Sequence, residues 1–262
     1  MTHMAQETEV KLRIADPQSF LGVLKKAGAR RISAGTGRVH EWNLVFDRPN
    51  KTLARRGQLL RIRIETPDHR ANRKRPKAGV RVLLTFKRPT RSQQRAKSAE
   101  RNPHRHKVRE ELEMEVSDPA LLTKIFEGLG MRTTFTYEKF RTTFAFPASQ
   151  HWAKGLLIEL DETPIGSFAE LEGPSRAIDR AAKMLGYSQS DYILTNYLRL
   201  YFEECRRRNE NPADMLFATR EASHGRQKFL EISITPFFLL TMQRMKPYHC
   251  TCVCDARQVA RR

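Results

Sequence analysis

Apolar and polar residues alternate with a period of two in seven separate stretches of the chain, and that spacing predicts strands. In residues 7–14, Thr8, Val10, Leu12 and Ile14 share one face, while Glu7, Glu9, Lys11 and Arg13 share the other. Residues 42–46 read as a short strand. Residues 60–64 put Arg61 and Arg63 together, and residues 82–87 set Thr85 and Lys87 against Val82, Leu84 and Phe86. Residues 109–116 oppose Arg109, Glu111, Glu113 and Glu115 to Leu112, Met114 and Val116. Three more stretches pair Lys139 with Arg141 (137–144), Glu159 with Asp161 (156–161) and Glu170 with Glu172 (168–172). Helices are expected after Asp16-Pro17, ending at Gly28, and after Ser117-Asp118-Pro119, ending at Gly128 or Gly130, because a carboxylate cap and an early proline start a helix and glycine stops one. Two further helices are expected over 175–185 and about 190–207, with a loop over 209–217 and no clear pattern beyond about 218.

One face of most strands is charged, and the other is strongly apolar. In a sandwich the charged face would be the wet outside. Here helices are available to cover the apolar faces, so the charged faces are expected to converge on the lumen of a barrel. The fold class is therefore α+β: an eight-stranded antiparallel β-barrel with helices packed outside. Charges survive in a lumen only when paired, hydrated or bound to metal, and carboxylate pairs on some strands complement cation pairs on others.

Composition adds a bias and a boundary. The net charge is +19, and residues 66–107 carry fourteen Lys/Arg against Asp68 and Glu100. This basic loop region is a solvated run, a lid over one tunnel mouth or an attractor of polyanions. His104 and His106 within it are expected to be solvated. Glu7 and Glu9 interrupt any N-terminal apolar run, and the longest apolar stretch, 229–242, is too short to span a bilayer. A cytoplasmic protein with no membrane partner is expected. His249, Cys250, Cys252 and Cys254 lack the spacing of common structural zinc sites. Residues 1–208 are read as the tunnel domain and 209–262 as a C-terminal extension of unknown role.

Glu7-x-Glu9-x-Lys11 on the first strand resembles the signature of the CYTH superfamily, the triphosphate tunnel metalloenzymes. Arg61-x-Arg63, Lys87 after Leu-Thr-Phe, Arg109-x-Glu111-x-Glu113, Lys139-x-Arg141, Glu159-x-Asp161 and Glu170-x-Glu172 follow in family order. The resemblance implies a tunnel that holds a triphosphate-bearing small molecule with Mg²⁺ or Mn²⁺. Carried over to this chain, Lys11, Arg61, Arg63, Lys87, Arg109, Lys139 and Arg141 bind phosphates. Glu7, Glu9, Glu113, Glu159, Asp161, Glu170 and Glu172 are metal ligands or water-orienting groups. Glu7, Glu9, Lys11 and Glu111 are the catalytic candidates, with Glu111 and Glu159 equally able to serve as counter-ions. Arg13 is expected to pair with an acidic neighbour, and Glu115, at a strand end, to have no special role. The leading expectation is hydrolysis of inorganic, thiamine or nucleoside triphosphate. The alternative is a class IV adenylate cyclase, which the resemblance associates with a His-Phe pair before the first strand; here that stretch reads His3-Met4-Ala5-Gln6. A non-catalytic binder of polyphosphate or nucleic acid through the basic loop is a third reading, and a homodimer stays open.

Overall fold

The computed structural model describes residues 3–32, 37–68, 79–90 and 106–218. Residues 69–78 and 91–105 of the basic region, with His104, and the Cys250–Cys254 cluster lie outside the described residues. Nine strands form one sheet: β1 (His3–Ile14), β2 (Arg30–Arg31), β3 (Arg38–Asp47), β4 (Leu59–Pro67), β5 (Arg81–Arg88), β6 (Lys107–Glu115), β7 (Arg132–Ala145), β8 (Leu157–Thr163) and β9 (Gly166–Glu172). Eight of them run β7-β3-β4-β5-β6-β1-β9-β8 and close through a β7–β8 pairing, so the barrel has no open seam. Every pairing in it is antiparallel. The ninth, β2, adds two residues to the end of β7.

The apolar faces point outward, as the alternation requires, and helices cover them. Val10, Leu12, Ile158, Leu160, Ala169 and Leu171 pack against α1 (Pro17–Ala27) and α4 (Ser175–Met184) through Phe20, Leu24, Ile178 and Ala181. Leu44, Phe46, Ile62, Ile64 and Val82 pack against α3 (Pro119–Gly128) through Phe126. Each Val, Leu, Ile or Phe among them contributes about 1.5–3 kcal/mol when fully withdrawn from water. The helices start where the sequence says they should. Asp16 accepts hydrogen bonds from Gln18 and Ser19 N–H groups, Asp118 from that of Leu121, and Gly28 ends α1 at φ 87°. A short α2 (Thr52–Arg55) completes the β3–β4 connection, its Leu53 and Ala54 N–H groups donating to the Asp47 carboxylate.

The C-terminal part departs from expectation. Instead of one helix over 190–207, a 3₁₀ turn at Gln189–Asp191 is followed by an extended segment, and α5 runs Tyr197–Arg208. The extended segment exists because β6 stops early. Its first residue, Lys107, pairs with Glu9, so Lys11 needs another partner and exchanges both backbone hydrogen bonds with Ile193. Asn196 then caps α5 by accepting from the Arg199 N–H. The expected loop over 209–217 is also more ordered than a loop. β8 leaves β7 at Phe140, and Met215 fills the vacated edge, donating to Thr136 and accepting from Glu138. Val45, Phe135, Tyr137, Phe168, Tyr197, Leu200 and Met215 form an apolar cluster where α5 meets one end of the barrel.

Met215 is 1% exposed and sits on a strap that is also tied by the Asp214 carboxylate, which accepts from the Thr136 N–H, and by the Phe217 N–H, which donates to Glu138. Met215→Ala is expected to lower unfolding free energy by about 2–5 kcal/mol, measured as a shift of the urea midpoint with unchanged slope.

Candidate functional site

The lumen is where β1 and β3–β9 aim every second side chain. Glu7, Glu9 and Lys11 of β1, Arg61 and Arg63 of β4, Thr85 and Lys87 of β5, and Arg109, Glu111 and Glu113 of β6 share one enclosed face with Lys139, Arg141, Glu159, Asp161, Glu170 and Glu172. Cross-strand register decides which charges meet. Lys11 lies opposite Glu170, Lys87 opposite Glu111, and Arg141 opposite Asp161. A cavity of about 240 Å³ runs along this face, lined among others by Glu7, Glu9, Lys11, Arg61, Lys87 and Arg109.

Most of these charges are paired. Arg141 is the densest node: its guanidinium donates to Asp161 at 2.7 and 2.6 Å and also reaches Glu159 and Glu170. Lys139 meets Asp161 at 2.8 Å and Glu41 at 3.4 Å, and the Tyr197 hydroxyl donates to the same Asp161 carboxylate at 2.7 Å. Asp161, expected as a metal ligand, thus already accepts from three side chains. Lys11 sits 2.8 Å from Glu170 and 3.3 Å from Glu9, and Lys107 reaches Glu9 as well. Lys87 bridges Glu7 at 2.7 Å and Glu111 at 3.0 Å. Arg63 lies 3.3 Å from Glu41 and 3.5 Å from Glu65. Glu113 accepts from the Thr85 hydroxyl at 3.0 Å.

Arg61 and Arg109 are different. Arg61 is buried, donates to the Tyr137 hydroxyl at 2.9 Å and to Thr85 at 3.3 Å, and its Nε has no hydrogen-bond partner. Arg109 donates to the Gly57 carbonyl. Among the described residues neither has a carboxylate within ion-pair distance.

The carboxyls also divide into two kinds. Burial pushes Glu7 up to about 7, with Lys87 opposing and Glu9 adding to the rise. Glu159 rises to about 7 through burial, against Arg141 and with Asp161 and Glu170. Glu172 rises to about 8 through burial, then the charges of Glu159 and Glu7. Burial also acts on Glu9, Glu41 and Glu170, but adjacent cations outweigh it and hold all three below the usual carboxylate range. One carboxylate oxygen each of Glu41 and Glu159 is buried without a hydrogen bond, although cations stand close by.

Several site residues were not in the sequence expectation. Glu41 and Asn43 of β3 face the lumen, opposite Lys139 and Arg63 respectively. Tyr137 lies inside on β7, Tyr197 enters from α5, and Lys107 enters from the first position of β6. Two expectations are corrected. Arg13 has no acidic partner among the described residues; past the barrel end its guanidinium lies 4.8 Å over the Phe168 ring. His106 is not free in solvent, because Asp179 and the Tyr192 ring hold it, with Nε2 2.8 Å from Asp179. Glu115 lies at the exposed strand end beside Arg81.

A CYTH domain family model matches residues 5–192, which span β1 through the 3₁₀ turn before α5. Among solved structures, a proposed adenylate cyclase from Vibrio parahaemolyticus superposes with a TM-score of 0.55 at 19% identity, covering 76% of this chain and 98% of that one. A protein from Pyrococcus horikoshii OT3 gives 0.55 at 21% identity, covering 76% and 99%. A conserved hypothetical protein from Pyrococcus furiosus gives 0.51 at 22%, covering 74% and 99%. At these identities the likeness is one of fold. No curated protein matches the sequence.

The raised carboxyls carry a stability signature. Glu172 holds its proton in the folded chain up to about 8, against 4.5 as the ordinary value. Its contribution to stability is therefore complete below the ordinary value and lost as pH rises through 8. In chelator, Glu172→Gln is expected to melt with wild type near pH 4.5 and above it at pH 8.5, read by scanning calorimetry; parallel curves would refute the shift.

Proposed function

From the premise that the chain belongs to the CYTH domain family, we propose that it is a metal-dependent hydrolase of a triphosphate substrate. The observation that carries this reading is Arg61, a buried guanidinium without a carboxylate partner among the described residues and with Nε unbonded. A buried cation left unpaired costs several kcal/mol, and a bound phosphate would remove that cost through a directional fork of hydrogen bonds. Arg109, bonded to a backbone carbonyl, offers the second such fork. Lys11 and Lys87 would add point charges along the same cavity.

The donor set suits a hard divalent cation. It consists of carboxylates, and Glu7, Glu159 and Glu172 keep raised proton affinity because burial penalises their charge more than the nearby cations relieve it. No three carboxylates or imidazoles among the described residues converge into a ready cage. Mg²⁺ does not need one, since it commonly takes one or two carboxylates and completes its shell with phosphates and water. Glu7, Glu9, Glu159 and Glu172 would hold Mg²⁺ or Mn²⁺, with Glu113 and Glu170 within the same lumen. When bound, the ion supplies a Lewis acid that offsets phosphate charge. Glu7 lines the cavity, where its carboxylate would orient the attacking water or take its proton. Glu111 keeps Lys87 charged and in place. Lys139, Arg141 and Asp161 hold the wall rigid, because their hydrogen bonds are already used on one another.

The cavity changes character along its length. Val45, Leu59, Phe135 and Leu198 line one end beyond Arg61, which suits the organic part of thiamine or nucleoside triphosphate. The adenylate cyclase reading keeps support from the name of the Vibrio neighbour. The stretch His3-Met4-Ala5-Gln6, read from sequence as preceding the first strand, lies within β1.

Product analysis separates the reactions. Incubation with ATP, thiamine triphosphate or inorganic triphosphate plus Mg²⁺ or Mn²⁺ is expected to release orthophosphate; cyclic AMP with equimolar pyrophosphate would replace hydrolysis by cyclisation. Arg61→Ala should lower kcat/KM by about 10²–10³ and Arg61→Lys by less, because charge remains without the fork; wild-type kinetics in both would remove Arg61 from the phosphate site. Glu9→Gln, nearly isosteric, should lose most turnover while unfolding at a similar temperature, and turnover that persists in excess EDTA would exclude a metal requirement.

A further inference from the structure

Three lysines face the carboxylates of β1, and they are not equally tied. Lys11 is held between Glu170 and Glu9 with its side chain 3% exposed. Lys87 is held between Glu7 and Glu111. Lys107 reaches Glu9 and has no other carboxylate within ion-pair distance among the described residues. It also lines the cavity beside Arg61, Lys87 and Arg109.

The backbone that carries Lys107 is anchored although the residue begins its strand. Glu9 and Lys107 are the last paired positions of β1 and β6. Immediately before it, His106 Nε2 lies 2.8 Å from Asp179 Oδ1, and the Tyr192 hydroxyl donates to the same oxygen at 2.8 Å. Tyr192 precedes Ile193, which pairs with Lys11. One node thus fixes the main chain behind both lysines that flank Glu9. Only the four-carbon stem of Lys107 is free to swing, and an ammonium on such a stem is indifferent to the direction of its acceptor.

We infer that Lys107 is a displaceable counter-ion, which neutralises Glu9 in the ion-free tunnel and passes to substrate phosphate when a divalent cation takes Glu9. This rests on the hydrolase reading above. Lys107 and Lys11 already meet the same Glu9 oxygen, so a divalent cation on this carboxylate sets a third positive charge against theirs, and Lys11 is locked by Glu170. Lys107 is therefore the group that leaves. The phosphates beside Arg61 and Arg109 are then the nearest unneutralised anions along the cavity. Such exchange makes one side chain oppose metal binding and favour substrate binding.

Opposite signs are the diagnostic. Free Mn²⁺ is measured by electron paramagnetic resonance during titration of substrate-free protein, and KM for inorganic tripolyphosphate is measured at saturating Mn²⁺. Lys107→Met should bind Mn²⁺ about ten-fold tighter, a competing charge having been removed, and should show a KM about ten-fold higher, a phosphate contact having been lost. Lys107→Arg should stay near wild type in both, and Lys107→Gln should repeat the Met result if the Met variant is insoluble. Mn²⁺ affinity that is unchanged or weaker, or tighter binding with unchanged KM, overturns the inference while the hydrolase reading stands. Wild type that neither binds Mn²⁺ nor cleaves tripolyphosphate overturns both.

Discussion

Arg141 and Asp161 face each other across the pairing that closes the barrel, and the remaining structure is arranged around keeping that buried pair neutral. An isolated ion at such depth costs several kcal/mol even after relaxation. The pair therefore recruits Lys139 and Tyr197 onto Asp161, and Glu41, Glu159 and Glu170 around Arg141. Those partners come from β3, β7, β8, β9 and α5. Because side chains alternate, a one-residue slip of any of these strands would turn its charge outward and leave the partner unpaired. Charge pairing thus fixes register as firmly as the apolar contacts on the outer faces do. It also explains α5, whose first residue supplies the hydroxyl that completes Asp161.

Saturation of that node defines where ligand chemistry can occur. Side chains whose hydrogen bonds are spent on one another have little left for a substrate. On the opposite wall Arg61 and Arg109 are held by neutral groups, a phenol, a threonine hydroxyl and a backbone carbonyl. Neutral partners orient a guanidinium without cancelling its charge. The lumen is therefore polarised across its width, with an internally neutralised wall at β7–β9 and a cationic wall at β4–β6. A polyanion entering the second would not need to break the first. Paired site residues and unpaired ones do different work, even where the same motif spacing announces both.

The barrel strands and the inward direction of their charge were legible in the sequence, because Glu7-x-Glu9-x-Lys11 and its successors alternate without interruption. Glu41 and Asn43 escaped for a local reason. Their strand reads Trp42-Asn43-Leu44-Val45-Phe46, nearly continuous apolar residues, since Val45 faces the apolar end of the lumen while Trp42, Leu44 and Phe46 face α3. Periodicity is blurred when both faces of a strand are apolar at one end. Lys107 was hidden by composition, being absorbed into a basic run of which it is the last member. Tyr197 and the extended 192–195 segment were not readable locally. Nothing near them states that β6 ends at Glu9's level and leaves Lys11 needing a backbone partner.

The apolar end of the cavity bears on the choice between hydrolysis and cyclisation more than the charged belt does. Both reactions need the same grip on three phosphates, so the roles proposed for Arg61, Arg109, Lys11 and Lys87 would serve either. They differ in the nucleophile and the phosphorus attacked. Hydrolysis leaves the organic group a spectator, and a loose apolar wall is sufficient for it. Cyclisation requires a ribose oxygen to be held about 3–3.5 Å from the α-phosphorus, which demands polar groups that orient the sugar. The wall beyond Arg61 offers Val45, Leu59, Phe135 and Leu198, with Gln58 and Asn196 as uncharged polar neighbours, and Asn196 is already engaged in capping α5. Asp47 lies at the same end, but its carboxylate is committed to the N–H groups of Arg48, Leu53 and Ala54. A surface of that kind would shelter a ring without clamping a sugar, and that is the ground on which hydrolysis is proposed ahead of cyclisation.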